Sequence, residues 1–173
     1  GLDKFDQNIF NNIIDYNIKP GTSFSRSNIE GSKKAIEFIL GEKGYAFPTI
    51  LVNVALQDKK GLVDIDFRVD PKKKSFVRRI NIKGNSKTND EVYRRELRQF
   101  ESSTYSESKV QRSKIRLQRL KFVNQVDVNK TVIDENTGYI DIDFLLDETQ
   151  SGEFKVGAGY SDSSGAIFNV KVQ

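Results

Sequence analysis

The sequence predicts an α+β protein made of two copies of a β-α-α-β-β unit, each a three-stranded sheet backed by two helices, followed by a β-hairpin. An internal repeat is the first observation: residues 61–70 read GLVDIDFRVD, and residues 138–147 read GYIDIDFLLD. The second observation is that residues 22–29 (TSFSRSNI) return in the same order as residues 103–110 (STYSESKV). The third is a tail beyond residue 150 in which apolar residues alternate with small or polar ones. A repeat sets the architecture of a chain, so we expect two units of about 75 residues.

The first copy, residues 1–74, is expected to contain two helices and two strands. The helices are predicted near residues 5–15 and 25–40, and the strands at residues 49–56 and 62–69. Pro20 and Gly21 separate the helices, because Pro followed by Gly favours a turn. Gly1 aligns with Gly84, which follows the first strand of the second copy. We therefore expect the opening strand of this copy to precede the chain, which leaves a sheet edge unpaired.

The second copy, residues 75–150, is expected to contain all five elements. They are predicted as a strand at residues 76–82, helices beginning at Asp90 and Ser106, and hairpin strands at residues 126–132 and 140–146. The apolar stripes of the helices are expected to be Val92, Leu97 and Phe100, and then Val110, Leu117 and Leu120. Such spacing is typical of amphipathic helices. The linker at residues 70–75 is too short for a flexible tether, so we expect the two units to touch.

The tail, residues 151–173, is predicted to form the first two strands of a transmembrane β-barrel. A globular hairpin would show the same alternation, and propensity alone favours it. The predicted strand from Gly152 to Ser161 nevertheless has the length of about 9–11 residues that a barrel strand needs. The residues expected to face lipid are Phe154, Val156, Ala158 and Tyr160.

The composition excludes several kinds of catalytic site. The chain contains no His, Cys, Met or Trp. Without His and Cys there is no imidazole base, thiolate nucleophile, disulfide, iron–sulfur cluster or usual zinc site. An enzyme would have to use carboxylates, Lys, Tyr or Ser instead. Our prediction is nevertheless a protein that is not an enzyme and that has no metal and no cofactor. Because the chain lacks Met and begins at Gly1, we also expect it to be a processed or excised piece of a longer protein.

Two aspartate pairs resemble a catalytic or metal-binding arrangement. They are Asp64 with Asp66, and Asp141 with Asp143. Residues two apart on a strand share a face, and the opposite face of each strand is apolar. We therefore predict a structural role on the polar face of each strand.

The basic helix of the second copy carries cations that could contact the phosphates of a nucleic acid. Its cations are Lys109, Arg112, Lys114, Arg116, Arg119 and Lys121. They spread around the helix with no set of aromatic residues for stacking, and the net charge of +4 is not concentrated in one segment. A solvated face is the favoured interpretation, and no nucleic acid is expected as a partner. A denser cluster, RRELR at residues 94–98, is also interpreted most simply as a solvated face. Its three Arg beside one Glu nevertheless suit a docking patch, since Arg is enriched at interfaces.

The hairpin strands of both copies are predicted to expose edges that accept an extended peptide. Main-chain hydrogen bonds at such an edge give affinity that tolerates many sequences. The residues assigned to these edges are Ile50, Val52 and Val54 in the first copy, and Val126, Val128 and Val132 in the second.

The order of the motifs resembles POTRA domains, the polypeptide-transport-associated modules of the outer-membrane β-barrel assembly family. The matching motifs are VRRI at 77–80, GN at 84–85, RRELRQ at 94–99, RLQRLKF at 116–122, GEF at 152–154, and GAGYS at 157–161 followed by Gly165. The first copy matches more weakly, through GYAFP at 44–48. The resemblance implies that residues 1–74 are the penultimate POTRA domain without its first strand, residues 75–150 the last POTRA domain, and residues 151–173 the start of the barrel.

The resemblance also implies a function and partners. It implies a periplasmic arm, attached to the outer membrane through a barrel, that binds unfolded outer-membrane protein clients and recruits accessory lipoproteins. The last POTRA domain of this family contacts one lipoprotein, and the matching positions are Arg94, Arg95 and Glu96. An alternative is the POTRA region of a two-partner secretion transporter from the same superfamily. A more distant alternative is a soluble nucleic-acid-binding domain.

Overall fold

The computed structural model describes residues 7–57, 61–149, 154–161 and 165–172. Its elements, in chain order, are α1 (Gln7–Asn17), α2 (Arg26–Glu42), β1 (Thr49–Gln57), β2 (Leu62–Asp70), β3 (Phe76–Lys83), α3 (Asp90–Arg94), α4 (Glu107–Gln118), β4 (Val123–Asp134), β5 (Tyr139–Glu148), β6 (Phe154–Ser161) and β7 (Gly165–Val172). The predicted order of elements is therefore confirmed for both copies. The predicted beginning of α1 at residue 5 and the tail residues 152 and 153 lie outside the described residues. Across the described ranges, no helix combines the length and hydropathy of a membrane-spanning segment.

The second unit is a three-stranded sheet with its helices on one face. The strand order is β3-β5-β4, with β3 parallel and β4 antiparallel to β5. Alternate residues of these strands face inward, and Val77, Ile142 and Phe144 are fully buried. Tyr93 from α3 and Leu117 from α4 pack against them in the same core. The alternating pattern of the strands and the stripe of α4 therefore meet in one hydrophobic layer.

The first unit has a smaller core. β1 and β2 pair as an antiparallel hairpin from Thr49 opposite Asp70 to Gln57 opposite Leu62. Both helices cover one face of this hairpin, and the buried residues of the core are Phe10, Ile36, Leu40 and Ile50. Among the described residues, no third strand joins this sheet.

The prediction that Leu97 and Phe100 lie on the third helix was wrong. α3 ends at Arg94, and Phe100 is 62% exposed. Leu97 is still buried, but it reaches the core from an irregular segment. Beyond Arg94 the backbone N–H groups of Arg98 and Gln99 donate to the hydroxyl oxygen of Ser113 in α4, at 2.8 Å and 3.4 Å. A longer helix would have directed these two N–H groups to carbonyls four residues earlier, so the bonds to Ser113 replace the continuation of α3.

The prediction of the fourth helix, α4, was nearly correct. The helix begins one residue after the predicted Ser106, which is its N-cap and accepts a hydrogen bond from the backbone N–H of Lys109 (3.4 Å). Leu120, however, follows the C-cap Arg119 and packs against the core from beyond the helix. The apolar stripe thus continues after the helical hydrogen bonds have ended.

The tail forms a separate two-stranded antiparallel sheet. Phe154 pairs with Val172, and Ser161 pairs with Gly165. The side chains of Phe154, Val156 and Tyr160 lie outside the described part of the structure, whereas Ala158 is exposed. The orientation of these residues towards lipid stays a prediction.

Two equivalent glycines of the repeat provide a test of the fold. Gly61 and Gly138 both have left-handed backbones, with φ of 60° and 75°. A Cβ on Gly138 would lie 2.2 Å from the carbonyl oxygen of Lys74, whereas a Cβ on Gly61 would meet nothing within 4 Å. We expect Gly61→Ala to lower the free energy of unfolding by about 1–2 kcal/mol and Gly138→Ala by about 3 kcal/mol or more. Urea unfolding followed by circular dichroism measures both, and equal losses would contradict the steric argument.

Candidate functional site

Strand β4 lies at one side of the second sheet and, among the described residues, pairs with β5 alone. Its ladder with β5 runs from Val123 opposite Glu148 to Asp134 opposite Tyr139. Between residues 124 and 133, the backbone makes no hydrogen bond to any described residue other than those of this ladder. We call the outer side of residues 124–133 the open edge. Its free N–H and C=O groups are a template for another strand.

The opposite side of the sheet, along β3, is closed by the chain itself. Val77 exchanges backbone bonds with residues 102 and 103, at 2.7 Å and 2.9 Å. The N–H of Ile80 donates to Glu101 Oε1 (2.7 Å), and the carbonyl of Ile80 accepts from Arg94 (3.1 Å). A strand could not pair with these groups without displacing them. Only one side of this sheet is therefore available for strand addition.

The two faces of β4 differ in polarity. Val126 is fully buried on the helical face, and Val128 is partly buried beside it. The outer face presents exposed polar residues at Gln125, Asp127, Asn129 and Thr131. A strand added at the open edge would have mainly apolar neighbours on one face, interrupted by Lys130, and polar neighbours on the other. This arrangement favours a strand with alternating apolar and polar residues.

The residues predicted to form the two edges differ in how far their side chains are exposed. Val126 faces the core, whereas Val132 is 40% exposed near the end of the strand. In the first unit, Ile50 is buried, Val52 is partly buried and Val54 is exposed. β1 has only β2 as a partner among the described residues, so it presents a second unpaired side.

The structure separates the three residues predicted to dock a lipoprotein. Arg94 is held by Asp90 (2.5 Å) and by the carbonyl of Ile80, so part of its role is to close the β3 side. Arg95 is the most accessible, with 68% of its side chain exposed. Glu96 is only 19% exposed and forms an ion pair with Arg116 of α4 at 2.6 Å. Glu96 and the basic helix therefore belong to one surface, which the sequence did not indicate.

The last residue of α2 in the first unit contacts the first turn of α4 in the second unit. Glu42 accepts hydrogen bonds from Ser108 N–H (2.5 Å), Ser108 Oγ (2.8 Å) and Ser106 Oγ (3.0 Å). Desolvation raises the pKa of Glu42, but the bonds from Ser108 and Ser106 outweigh it, and the pKa lies below its ordinary value. The carboxylate also lies at the N-terminus of α4, where the helix dipole favours a negative charge. The expected contact between the units is thus present, through a residue that sequence reasoning missed.

Strand β4 also contributes to this contact through Lys130. Its ammonium donates to the hydroxyl of Tyr105 (3.1 Å) and to the carbonyl of Ala46 in the first unit (3.4 Å), and lies 3.5 Å from Glu107. The hydroxyl of Tyr105 also donates to Glu107. Burial, and then the neighbouring carboxylate of Glu107, raise the pKa of Tyr105. Ala46 itself is buried in the core of the second unit, so the two units share apolar as well as polar contacts.

The aspartates of both pairs bind neighbouring side chains, in agreement with the predicted structural role. Asp64 accepts from Gln57, and Asp66 pairs with Arg68 (3.0 Å). Asp141 binds Arg78 through two hydrogen bonds (2.9 Å and 2.5 Å), and Asp143 binds Lys83 (2.6 Å) and Asn81 (2.7 Å). The bond from Lys83 is the main reason that the pKa of Asp143 lies below its ordinary value. In the described part of the chain, no group of three or more acidic side chains is arranged to hold a metal ion.

These features define a class of protein: a tandem of two α+β units in contact, the second with one sheet edge covered by its own chain and the other open. The model of the POTRA family, described as surface antigen variable number repeat, matches residues 1–72 and residues 75–149. The chain belongs to the POTRA family. Because POTRA domains are non-enzymatic, the prediction that this chain is not an enzyme is confirmed.

Relatives and solved structures agree with this family. The outer membrane protein assembly factor BamA of Neisseria meningitidis serogroup B is 33% identical over 155 residues, which are 90% of this chain and 19% of that protein. The crystal structure of BamA from Haemophilus ducreyi lacking POTRA domains 1–3 gives a TM-score of 0.70 at 29% identity, over 96% of this chain and 31% of that one. POTRA domains 3–5 of Haemophilus influenzae BamA give 0.77 at 27% identity, over 82% and 55%. The chain spans less than a fifth of the length of the Neisseria relative.

The contact made by Glu42 predicts a pH-dependent contribution to stability. Because its pKa is lowered in the folded protein, its contribution is complete above the ordinary carboxyl value of 4.5 and is lost as the pH falls through the lowered value. We expect Glu42→Gln to lower the free energy of unfolding by about 1 kcal/mol at about pH 7, and by less at about pH 3. Urea unfolding at both pH values measures this difference. Glu30→Gln, an exposed change on the same helix, is the control, and a pH-independent loss in Glu42→Gln would contradict the assignment.

Proposed function

We propose that this chain is part of the periplasmic arm of an outer-membrane protein assembly machine and that it binds unfolded β-barrel clients by strand addition. The observation that carries the proposal is the open edge of β4, in a POTRA domain whose other side is closed. Similarity to proteins named outer membrane protein assembly factor supports assembly as the process, in preference to two-partner secretion. Strand addition suits this task because main-chain bonds tolerate many client sequences.

We further infer that the two units are the last two POTRA domains and that the tail begins a membrane barrel. In support, the matching Haemophilus ducreyi structure lacks POTRA domains 1–3, and the match covers 96% of this chain, which extends past residue 149. β6 and β7 have eight residues each and pair as neighbours, as consecutive barrel strands do. In this proposal the parent protein resides in the outer membrane, and Phe154, Val156, Ala158 and Tyr160 face lipid.

We propose that accessory lipoproteins dock at the surface formed by Arg95, Glu96 and Arg116. Arg95 is accessible there, and Glu96 pairs with Arg116 at 2.6 Å, so charges of both signs are presented side by side. A partner with complementary charges could insert between them. Arg94, which is occupied by Asp90 and Ile80, contributes by holding the segment in place.

Proline substitutions within β4 test strand addition. Successive residues of a strand direct their N–H groups to opposite sides, so of Val128→Pro and Asn129→Pro only one removes a group of the open edge. The other removes a bond to β5 and is expected to unfold the sheet. We expect the variant that retains its circular dichroism spectrum to bind an unfolded outer-membrane protein at least about ten-fold more weakly.

The corresponding pair in β1, Val54→Pro and Asn53→Pro, shows which unit captures the client. If every folded proline variant of β4 and β1 keeps the affinity of the parent chain, capture by strand addition is wrong. Fluorescence anisotropy of a labelled client measures the dissociation constants.

Charge reversal at Glu96 tests the docking surface. We expect Glu96→Lys to reduce co-purification of the accessory lipoproteins at least about ten-fold, because it places a positive charge beside Arg116 where a partner would meet a carboxylate. Glu91→Lys, an exposed change in the same segment, is the matched control and is expected to have no effect.

A charge swap separates direct contact from an internal role. Glu96→Lys combined with Arg116→Glu restores the internal ion pair with its charges exchanged. If Glu96 contacts the partner, the swap does not restore co-purification. Recovery in the swap would instead show that the pair only stabilises this surface, and unchanged recovery in Glu96→Lys would reject the surface altogether.

A further inference from the structure

One ion pair connects helix α4 with the outer face of the sheet. Lys114 Nζ lies 3.9 Å from Asp127 Oδ1. Asp127 lies on the outer face, since it alternates with the buried Val126 and its carboxylate accepts a hydrogen bond from Gln125 (2.7 Å). α4 packs on the opposite face, where Leu117 and Val126 belong to the same core. The partners of this ion pair therefore originate on opposite faces of the sheet.

Only one route joins these two faces at β4. The continuous ladder with β5 closes the inner side of the strand. The side chain of Lys114 must consequently pass round the outer side of β4 and across the open edge. A lysine at an edge hinders pairing with another chain, because its charge would have to be moved or desolvated.

The ion pair is weak enough to be displaced. The side chains of Lys114 and Asp127 remain 31% and 56% exposed, and 3.9 Å is long for a charged hydrogen bond. Exposed pairs of this kind contribute little to stability and are screened by salt. A client strand that forms several main-chain bonds with β4 gains more than the ion pair loses.

We propose that Lys114 and Asp127 form a latch across the open edge, which a client strand must displace before it pairs with β4. This inference rests on the proposed function, since it concerns regulation of the same edge. The latch lowers affinity for every strand by a similar factor. Segments that form few main-chain bonds are therefore rejected, and long extended segments are retained.

The test uses an uncharged peptide of about ten residues with alternating Val and Thr and blocked ends, so that salt acts on the protein alone. We expect the peptide to bind Lys114→Gln and Asp127→Asn about two- to five-fold more tightly than the parent chain. Raising the salt concentration from about 0.05 M to about 0.5 M should tighten binding of the peptide to the parent chain, because salt screens the latch. The same rise in salt should leave binding to Lys114→Gln unchanged, because that variant has no latch to screen.

Two further variants provide the controls. Lys109→Gln removes the same charge from an exposed position of α4 and is expected to bind as the parent chain does at each salt concentration. Lys114→Asp combined with Asp127→Lys restores the ion pair with its charges exchanged and is expected to restore the weaker binding. Tighter binding in Lys109→Gln to the same degree would overturn the latch in favour of a general charge effect.

Cross-linking separates failure of the latch from failure of strand capture. The chain contains no cysteine, so Asn129→Cys provides a single site for a disulfide with a cysteine in the peptide. Cross-linking together with equal affinity for the parent chain and Lys114→Gln would overturn the latch and leave strand capture at β4 intact. Absence of both cross-linking and binding would overturn strand capture, and the latch with it.

Discussion

The requirement that backbone polar groups be paired governs this structure. In the second sheet, β5 is central and β3 and β4 are its flanks, so two rows of N–H and C=O groups face outward. The chain satisfies the β3 row with the segment at residues 101–103 and with Arg94, and it leaves the β4 row to solvent. Because of this asymmetry, the sheet can accept an added strand at one edge, that of β4.

The same strand that carries the open edge also connects the two units. Lys130 of β4 reaches Ala46 of the first unit, and Glu42 of the first unit binds the beginning of α4, which covers β4. A change in the angle between the units would therefore move groups beside the edge. Since these contacts combine a buried alanine with charged hydrogen bonds, they resist bending more than a flexible linker would.

The sequence could predict the elements, because the repeat and the alternating strands are local patterns with a fixed geometry. It could not predict the end of α3, since that depends on how the N–H groups of Arg98 and Gln99 reach Ser113 of α4 after folding. Nor could it distinguish the closed side from the open side: the decisive bond joins Ile80 to Glu101, 21 residues apart. The docking residues were predicted as one cluster, yet Arg94 and Glu96 have different partners, and those partners are visible only in three dimensions.

An open edge that receives clients must also avoid pairing with the edge of another copy, and the energies at β4 are compatible with both requirements. A main-chain hydrogen bond contributes about 0.5–1.5 kcal/mol net, so several such bonds exceed an exposed ion pair of at most about 1 kcal/mol. Pairing of two copies would displace two Lys114–Asp127 pairs, one on each edge, whereas capture of a client displaces one. A weak interaction across the edge can thus discriminate against self-association while it still permits a long client strand to bind.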